Sequence, residues 1–199
     1  GLPWHVDEDK PSAKHLAAPE QRYSKPSPFA IAAIRLLIFT GARLSEILTL
    51  KWEYVDLEGQ QIRLPDSKTG RKSIYLNQQA CEALANIPRL EGNPYVICGD
   101  KPGTHLVNLQ KSWRRIRKAA GLDDVRIHDL RHTFASWGAS GGLPLPMIGA
   151  LLSHSQPQTT HRYAHLSADP LKAGSEQVAG AIADAMGRRS KKRKSSKNR

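Results

Sequence analysis

From position 28 onward, apolar side chains recur every three or four residues: Phe29, Ile31, Ile34, Leu37 and Ile38, stopping near Gly41. That spacing puts one stripe of a helix against a core and predicts a helix over 28–40. A second short helix is expected over 43–50. The period then changes to two. Segments 52–57, 61–64 and 72–76 are short, rich in aromatic and branched residues, and divided by Glu58-Gly59 and by residues 66–70 (DSKTG). Alternation bounded by turn chemistry predicts three antiparallel strands, with Lys68 at the tip of the second turn. Helical spacing resumes over 78–87, 106–119, 128–139, 146–153, 156–163 and 170–186, punctuated by glycines 41, 92 and 121 and by prolines. Residues 1–25 show no periodicity and read as an N-terminal extension or linker. No internal repeat is visible. The expected fold class is α+β: a mostly helical domain over 26–187 with one small three-stranded antiparallel sheet.

Composition narrows the class. With 39% hydrophobic residues the chain of 199 has enough apolar material for a core. Cys81 and Cys98 show no CxxC spacing, which argues against a disulfide framework or a zinc knuckle. The longest apolar stretch, 29–39, is broken by Arg35 and too short to cross a bilayer. The first ten residues, GLPWHVDEDK, are acidic and lack the apolar run of a signal peptide. A soluble protein of the cytoplasm with no membrane partner is expected.

The formal net charge of +12 is unevenly spread. Residues 188–199 (RRSKKRKSSKNR) hold eight basic residues and no acid, and removing them leaves +4 on residues 1–187. Such a tail is too charged to bury apolar surface and is expected to be disordered; it suits either solvent or phosphate contact.

Four short constellations carry candidate chemistry. In HDLRH, His128 and Arg131 are three apart and leave one face of a helix, a pairing that suits an anionic oxygen: the guanidinium clamps it and the imidazole donates or moves a proton. Alone, such a pair is more often a solvated face. In LLSHSQPQTTHRYAHL, His154 and Tyr163 stand among further basic groups, whereas an isolated tyrosine would usually be core. In TGARLSEIL, Arg43 and Glu46 are spaced for a local salt bridge. In SKTG, Lys68 rides a turn where lysine ordinarily serves solubility.

Their order along one chain, Arg–Lys–His-x-x-Arg–His–Tyr, resembles the signature of the tyrosine recombinases, the phage-integrase family, over about residues 28–170. TGARLSEIL is similar to the first arginine box, HDLRHTFASW to the second, and LLSHSQPQTTHRYAHL to the last. The resemblance implies a tyrosine-recombinase catalytic domain, a site-specific DNA strand transferase that needs no metal, cofactor or ATP. Arg43 and Arg131 would bind the non-bridging phosphate oxygens, and Tyr163 would attack phosphorus to form a 3′-phosphotyrosyl link. His128 would manage the tyrosine's proton, Lys68 would protonate the leaving 5′-oxygen, and His154 would hydrogen-bond the phosphate. Glu46 would hold Arg43 or His128. Ser153 departs from the family pattern, which has glycine before the late histidine. The family's usual N-terminal DNA-clamping domain has no room in residues 1–25, so the chain reads as the catalytic half of a longer integrase.

The implied partners are a double-stranded recombination site, accessory DNA-bending factors, and further copies of the chain in a tetramer on DNA that is a monomer without it. The segment 170–186 suits packing on its own domain, while the resemblance implies that it docks on a neighbouring subunit. Arg71, Lys72, Lys111, Arg114, Arg115, Arg117 and Lys118 are the candidate phosphate contacts, with Trp113, Ile116 and Ala120 facing inward beneath the helical ones. Two other readings stay open: a metal-dependent nuclease using His128, His132, His154, His161 and His165, and a catalytically silent DNA-binding protein of the same fold. A type IB topoisomerase would share the chemistry but fits the box sequences less well.

Overall fold

The computed structural model describes residues 2–3, 23–24, 26–65, 70–154, 156–166, 175, 178–180 and 182. Two short strands, β1 (Leu2–Pro3) and β2 (Tyr23–Ser24), pair antiparallel ahead of the helical body. Pro28 then opens α1 (Pro28–Thr40), where a missing N–H costs nothing because the first turn has no partner for it. The helix stops at Gly41, whose φ of +64° lies in the left-handed region and whose N–H returns to the Leu37 carbonyl. A Cβ on Gly41 would come within 2.7 Å of the Leu152 and Phe134 side chains, so glycine alone permits this close approach.

The buried alanines 30 and 33 let neighbours come close to α1, which is the central helix. It packs against α2 (Leu44–Leu48), α3 (Gln78–Ala85), α4 (Gln110–Ala119) and α5 (Asp129–Ser140). Asn77 caps α3 by accepting the Ala80 N–H, and its amide donates to the Phe39 carbonyl, tying the exit of the sheet to the end of α1.

The sheet has the order β3 (Val55–Asp56), β4 (Gln61–Leu64), β5 (Lys72–Tyr75), all antiparallel. Its pleat sends Ile62, Leu64 and Ile74 into the core and leaves Arg63, Ser73 and Tyr75 outside. Lys72 shares the inward phase with Ile74, an unusual address for a lysine.

α5, α6 (Leu145–Leu152), α7 (Gln158–His161) and a 3-10 turn (Ala164–Leu166) complete the body. Ala135, Ala139, Ile148, Leu152 and Tyr163 form a second, smaller apolar cluster beside the main one. The architecture is thus α+β and mostly helical, as the hydrophobic periods imply.

Some elements differ in extent. The expected strand over 52–57 survives only as Val55–Asp56, because the Trp52 N–H goes to the Pro94 carbonyl and Tyr54 folds back on Lys51 into a 3-10 turn. Residues 106–109 lie outside the helix, with the Leu106 N–H bonded to the Ile97 carbonyl, and the helix begins only where Asn108 receives the Gln110 N–H. The helix over 156–163 breaks into α7 and the following 3-10 turn. Ala120, expected to face inward, is exposed. Of the segment 170–186, the described residues 175, 178–180 and 182 are helical; its other positions, Lys68 and the tail 188–199 lie outside the described residues.

Candidate functional site

The α1–α2 corner sets the first cation. Thr40 Oγ1 bonds the Leu36 carbonyl at 2.6 Å and receives the Ala42 N–H at 3.2 Å, fixing the turn that leads into Arg43. Glu46, at the third position of α2, accepts both from the Arg43 backbone N–H (2.8 Å) and from its Nη1 (2.9 Å). The capping box common at helix starts is here joined to a side-chain clamp. Arg43 Nη2 reaches across to the Ser153 carbonyl at 3.3 Å.

Arg131, on α5, is 7% exposed. Its Nη1 donates to the Gly41 carbonyl and its Nη2 to the Leu152 carbonyl at 2.6 Å. Both arginines are therefore anchored on the same loop, the C-terminus of α6. There Ser153 takes the left-handed conformation (φ +52°) and the His154 N–H turns back to the Gly149 carbonyl. Burial, then the Arg43 charge, draws Arg131 below the usual guanidinium range.

His154 lies just beyond. Its Nδ1 is 2.8 Å from Thr160 Oγ1. Burial first, then Arg131 and Arg43, push its pKa down to about 4, so the ring is neutral near pH 7. In the tautomer where Thr160 donates to Nδ1, the ring proton sits on Nε2 and is free to be donated.

Tyr163 is 5% exposed, within the second apolar cluster. Burial raises its pKa against the opposing pull of Arg162 and Arg131. Its hydroxyl is 2.6 Å from Nδ1 of His132, a residue that the motif reading left among the spare histidines. His128, exposed at the start of α5, meets His132 edge to face, with centroids 4.8 Å apart.

The sequence reading offered Arg43 or His128 as the partner of Glu46. The structure gives it Arg43 and, from the sheet, Lys72, whose Nζ lies 2.7 Å from Oε2. Lys72 is 6% exposed, so its place among the outer phosphate contacts is corrected: period-two alternation carries it inward with Ile74. Burial raises the Glu46 pKa, but hydrogen bonds from Lys72 and Arg43 outweigh it and hold the carboxyl below its ordinary value. Lys72 is drawn below its ordinary value by burial, with Arg131 and Arg43 adding to it, against the pull of Glu46.

Arg117 is also corrected. It is half-buried, and its Nη1 bonds the Val125 carbonyl (2.9 Å), the oxygen that also receives Nε1 of the buried Trp113 (3.0 Å). Arg71, Lys111, Arg114, Arg115 and Lys118 are exposed. Arg71 lines a cleft of about 540 Å³ whose other wall includes Ser153 and His154. His161 and His165 are exposed as well, and among the described residues no three His, Cys, Asp or Glu side chains converge as a metal site requires.

Arg43 and Lys72 thus share a single carboxylate, Glu46, while Arg131 is held by two backbone carbonyls and neutral His154 lies at their edge. The excess of positive charge fits an anion with several oxygens.

Comparison with known proteins points the same way. The phage integrase family pattern matches residues 16–169. The integrase of Salmonella phage P22 is 30% identical over 164 residues, covering 74% of this chain and 42% of that protein. The catalytic domain of bacteriophage HP1 integrase superposes with a TM-score of 0.56 at 24% identity, covering 73% of this chain and 79% of that one. The XerH site-specific recombinase, solved in a pre-cleavage complex with its difH substrate, gives a TM-score of 0.60 at 23% identity over 81% of this chain and 49% of XerH. The chain spans about half the length of the curated relatives it matches.

Proposed function

Because this chain belongs to the phage integrase family, we propose that it carries the catalytic machinery of a site-specific tyrosine recombinase, cleaving and rejoining double-stranded DNA through a 3′-phosphotyrosyl intermediate. The observation that carries this reading is the convergence of Arg43 and Arg131 on the Leu152–Ser153 backbone, with His154 beside them and the Tyr163 hydroxyl held at the same end of α5.

In this reading the two guanidiniums hold the non-bridging oxygens of the scissile phosphate and stabilise the charge that grows on them. His154, neutral and carrying its proton on Nε2, donates a further hydrogen bond. Glu46 positions Arg43, and Lys72 holds Glu46. Tyr163 attacks phosphorus, and Lys68, from the hairpin between β4 and β5, protonates the 5′-oxygen as it leaves. His128 stands next to the ring that touches the tyrosine. The covalent link conserves the phosphodiester bond energy, so rejoining to a different 5′-hydroxyl exchanges strands without ATP.

The catalytic unit in this reading is 26–187, preceded by the linker 1–25 and followed by the basic tail 188–199. Arg71, Lys111, Arg114, Arg115 and Lys118 supply sequence-independent phosphate contacts. Assembly into a tetramer on DNA is part of the proposal. Phe39, Phe134, Trp137, Leu143, Ile148 and Leu151 line an apolar groove of about 470 Å³, and Trp137 is 76% exposed. Val178 and Ile182, four apart and exposed on helical backbone, suit such a groove on a second copy. Sedimentation with and without DNA measures the state.

The test is incubation with supercoiled plasmid in EDTA without ATP, quenched with detergent. Relaxed topoisomers and a protein–DNA adduct are expected from the wild type and from no Tyr163→Phe sample. Nicking without an adduct, or activity abolished by the chelator, contradicts the reading.

A further inference from the structure

We propose that His132 is the base that takes the proton from Tyr163 as its hydroxyl attacks phosphorus. The inference rests on the reading of Tyr163 as the nucleophile and adds a residue outside the set of seven assigned by motif.

Geometry carries it. Nδ1 of His132 is 2.6 Å from the Tyr163 hydroxyl, with ring centroids 6.1 Å apart and planes at 47°. Both partners are rigidly placed. His132 directly follows Arg131, which pins α5 to the carbonyls of Gly41 and Leu152. Tyr163 sits in the apolar cluster with Ala135, Ala139, Ile148 and Leu152, its backbone N–H on the Thr160 carbonyl. An apolar bed beneath the tyrosine keeps water from competing for its proton.

A base must hold an unprotonated lone pair. Burial disfavours the charged form of His132, and His128 and Arg162 push the same way, while Asp129 opposes them and Arg126 adds a smaller push. The imidazole is therefore neutral near pH 7. In the Nε2–H tautomer its Nδ1 accepts the tyrosine O–H. His128 meets the ring of His132 edge to face, with centroids 4.8 Å apart, and its charge is one of the influences that keep that ring neutral.

The step balances without a further reagent. The tyrosine O–H bond breaks and its proton moves to Nδ1, giving the imidazolium. The phenolic oxygen–phosphorus bond forms, the phosphorus–5′-oxygen bond breaks, and that oxygen takes a proton from a separate acid, Lys68 in the reading above. Rejoining reverses each transfer, and the imidazolium returns the proton to Tyr163.

Two measurements on the full chain test this. In a ¹⁵N-histidine spectrum near pH 7, Nδ1 of His132 is expected to resonate as an unprotonated acceptor that shifts in Tyr163→Phe; a protonated Nδ1 overturns the assignment. In the plasmid adduct assay, with folding verified by thermal melts, His132→Ala and His132→Gln are expected to slow adduct formation by roughly 100-fold. Gln can still hold the hydroxyl but cannot take its proton. Both variants should lose the acid limb of the pH–rate profile, and added imidazole should restore part of the rate to the Ala variant. Folded variants that react at wild-type rate, or that keep the wild-type pH profile, sink the proposal. Adducts formed by His132→Gln at the wild-type rate, with none from Tyr163→Phe, would overturn the role of His132 alone. Absence of any wild-type adduct overturns the nucleophile reading and the His132 base with it.

Discussion

The Lys72 ammonium meets the Glu46 carboxylate at 2.7 Å with both side chains almost fully withdrawn from solvent. The pair links the sheet to the α1–α2 corner, since the same carboxylate clamps Arg43 through its other oxygen. A charge so placed is costly to leave alone. Lys72→Met should destabilise the fold by about 3 kcal/mol, the order found when one partner of a buried pair is removed. The double variant with Glu46→Gln should recover part of that loss. Urea unfolding of the four members of the cycle measures the coupling, and additive losses would show that the two groups do not interact.

Gly41 has no alternative residue. At φ +64°, with Leu152 and Phe134 within 2.7 Å of any Cβ, Gly41→Ala meets strain and overlap together. A loss of roughly 2 kcal/mol is expected. Activity should fall further than stability does, because the Gly41 carbonyl seats Arg131. A melting temperature unchanged within a degree would contradict this account.

Ser153 is the reverse case. It holds a left-handed backbone with a Cβ present, at φ +52° and ψ +52°. Ser153→Gly should stabilise the protein by about 0.5–1 kcal/mol, the relief of the strain less the added freedom of the unfolded chain. The backbone path that offers its carbonyl to Arg43 and leads to His154 should be kept. Chemical denaturation decides the sign; destabilisation would mean that the serine is not strained.

Stability should fall as the solution is acidified from about pH 6.5 towards 4. Unfolded His154 takes up a proton near its ordinary 6.5, while the folded ring resists until about 4. In that window the unfolded chain binds more protons, so the contribution is complete above 6.5 and is lost on the way down. His132, also lowered, acts in the same sense. Urea midpoints at pH 7 and pH 5 should differ in the wild type and differ less in His154→Asn; an equal drop in both would remove His154 as the cause.

Much of this was legible in the chain. The three-and-four spacing of apolar residues locates α1, and its end follows from Gly41. Arg43, Arg131, His154 and Tyr163 stand in motifs whose backbone neighbours, Gly41 and Ser153, are the ones that anchor the arginines. Lys72 was misread although the signal was present: Lys72, Ile74 and Leu76 share one phase of the alternation, and that phase is buried. The bond between His132 and Tyr163 spans 31 residues and depends on how α5 meets the turn after α7, which no local period encodes. The shortened strand at Val55 was hidden for a similar reason, since a distant carbonyl, that of Pro94, captures the Trp52 N–H.

Arg131 rests on two main-chain oxygens, from the end of α1 and the end of α6, and not on any acidic side chain. Its seat is therefore inherited with the course of the backbone and can outlast wide change in the residues that line it. The same arginine is a strut between three helices. In the proposed reading, deleting the guanidinium removes a brace and a phosphate clamp in one stroke, so an inactive Arg131→Ala variant reports their sum. Arg131→Lys separates them, because an ammonium still reaches a carbonyl but presents a point charge where the fork would grip two oxygens.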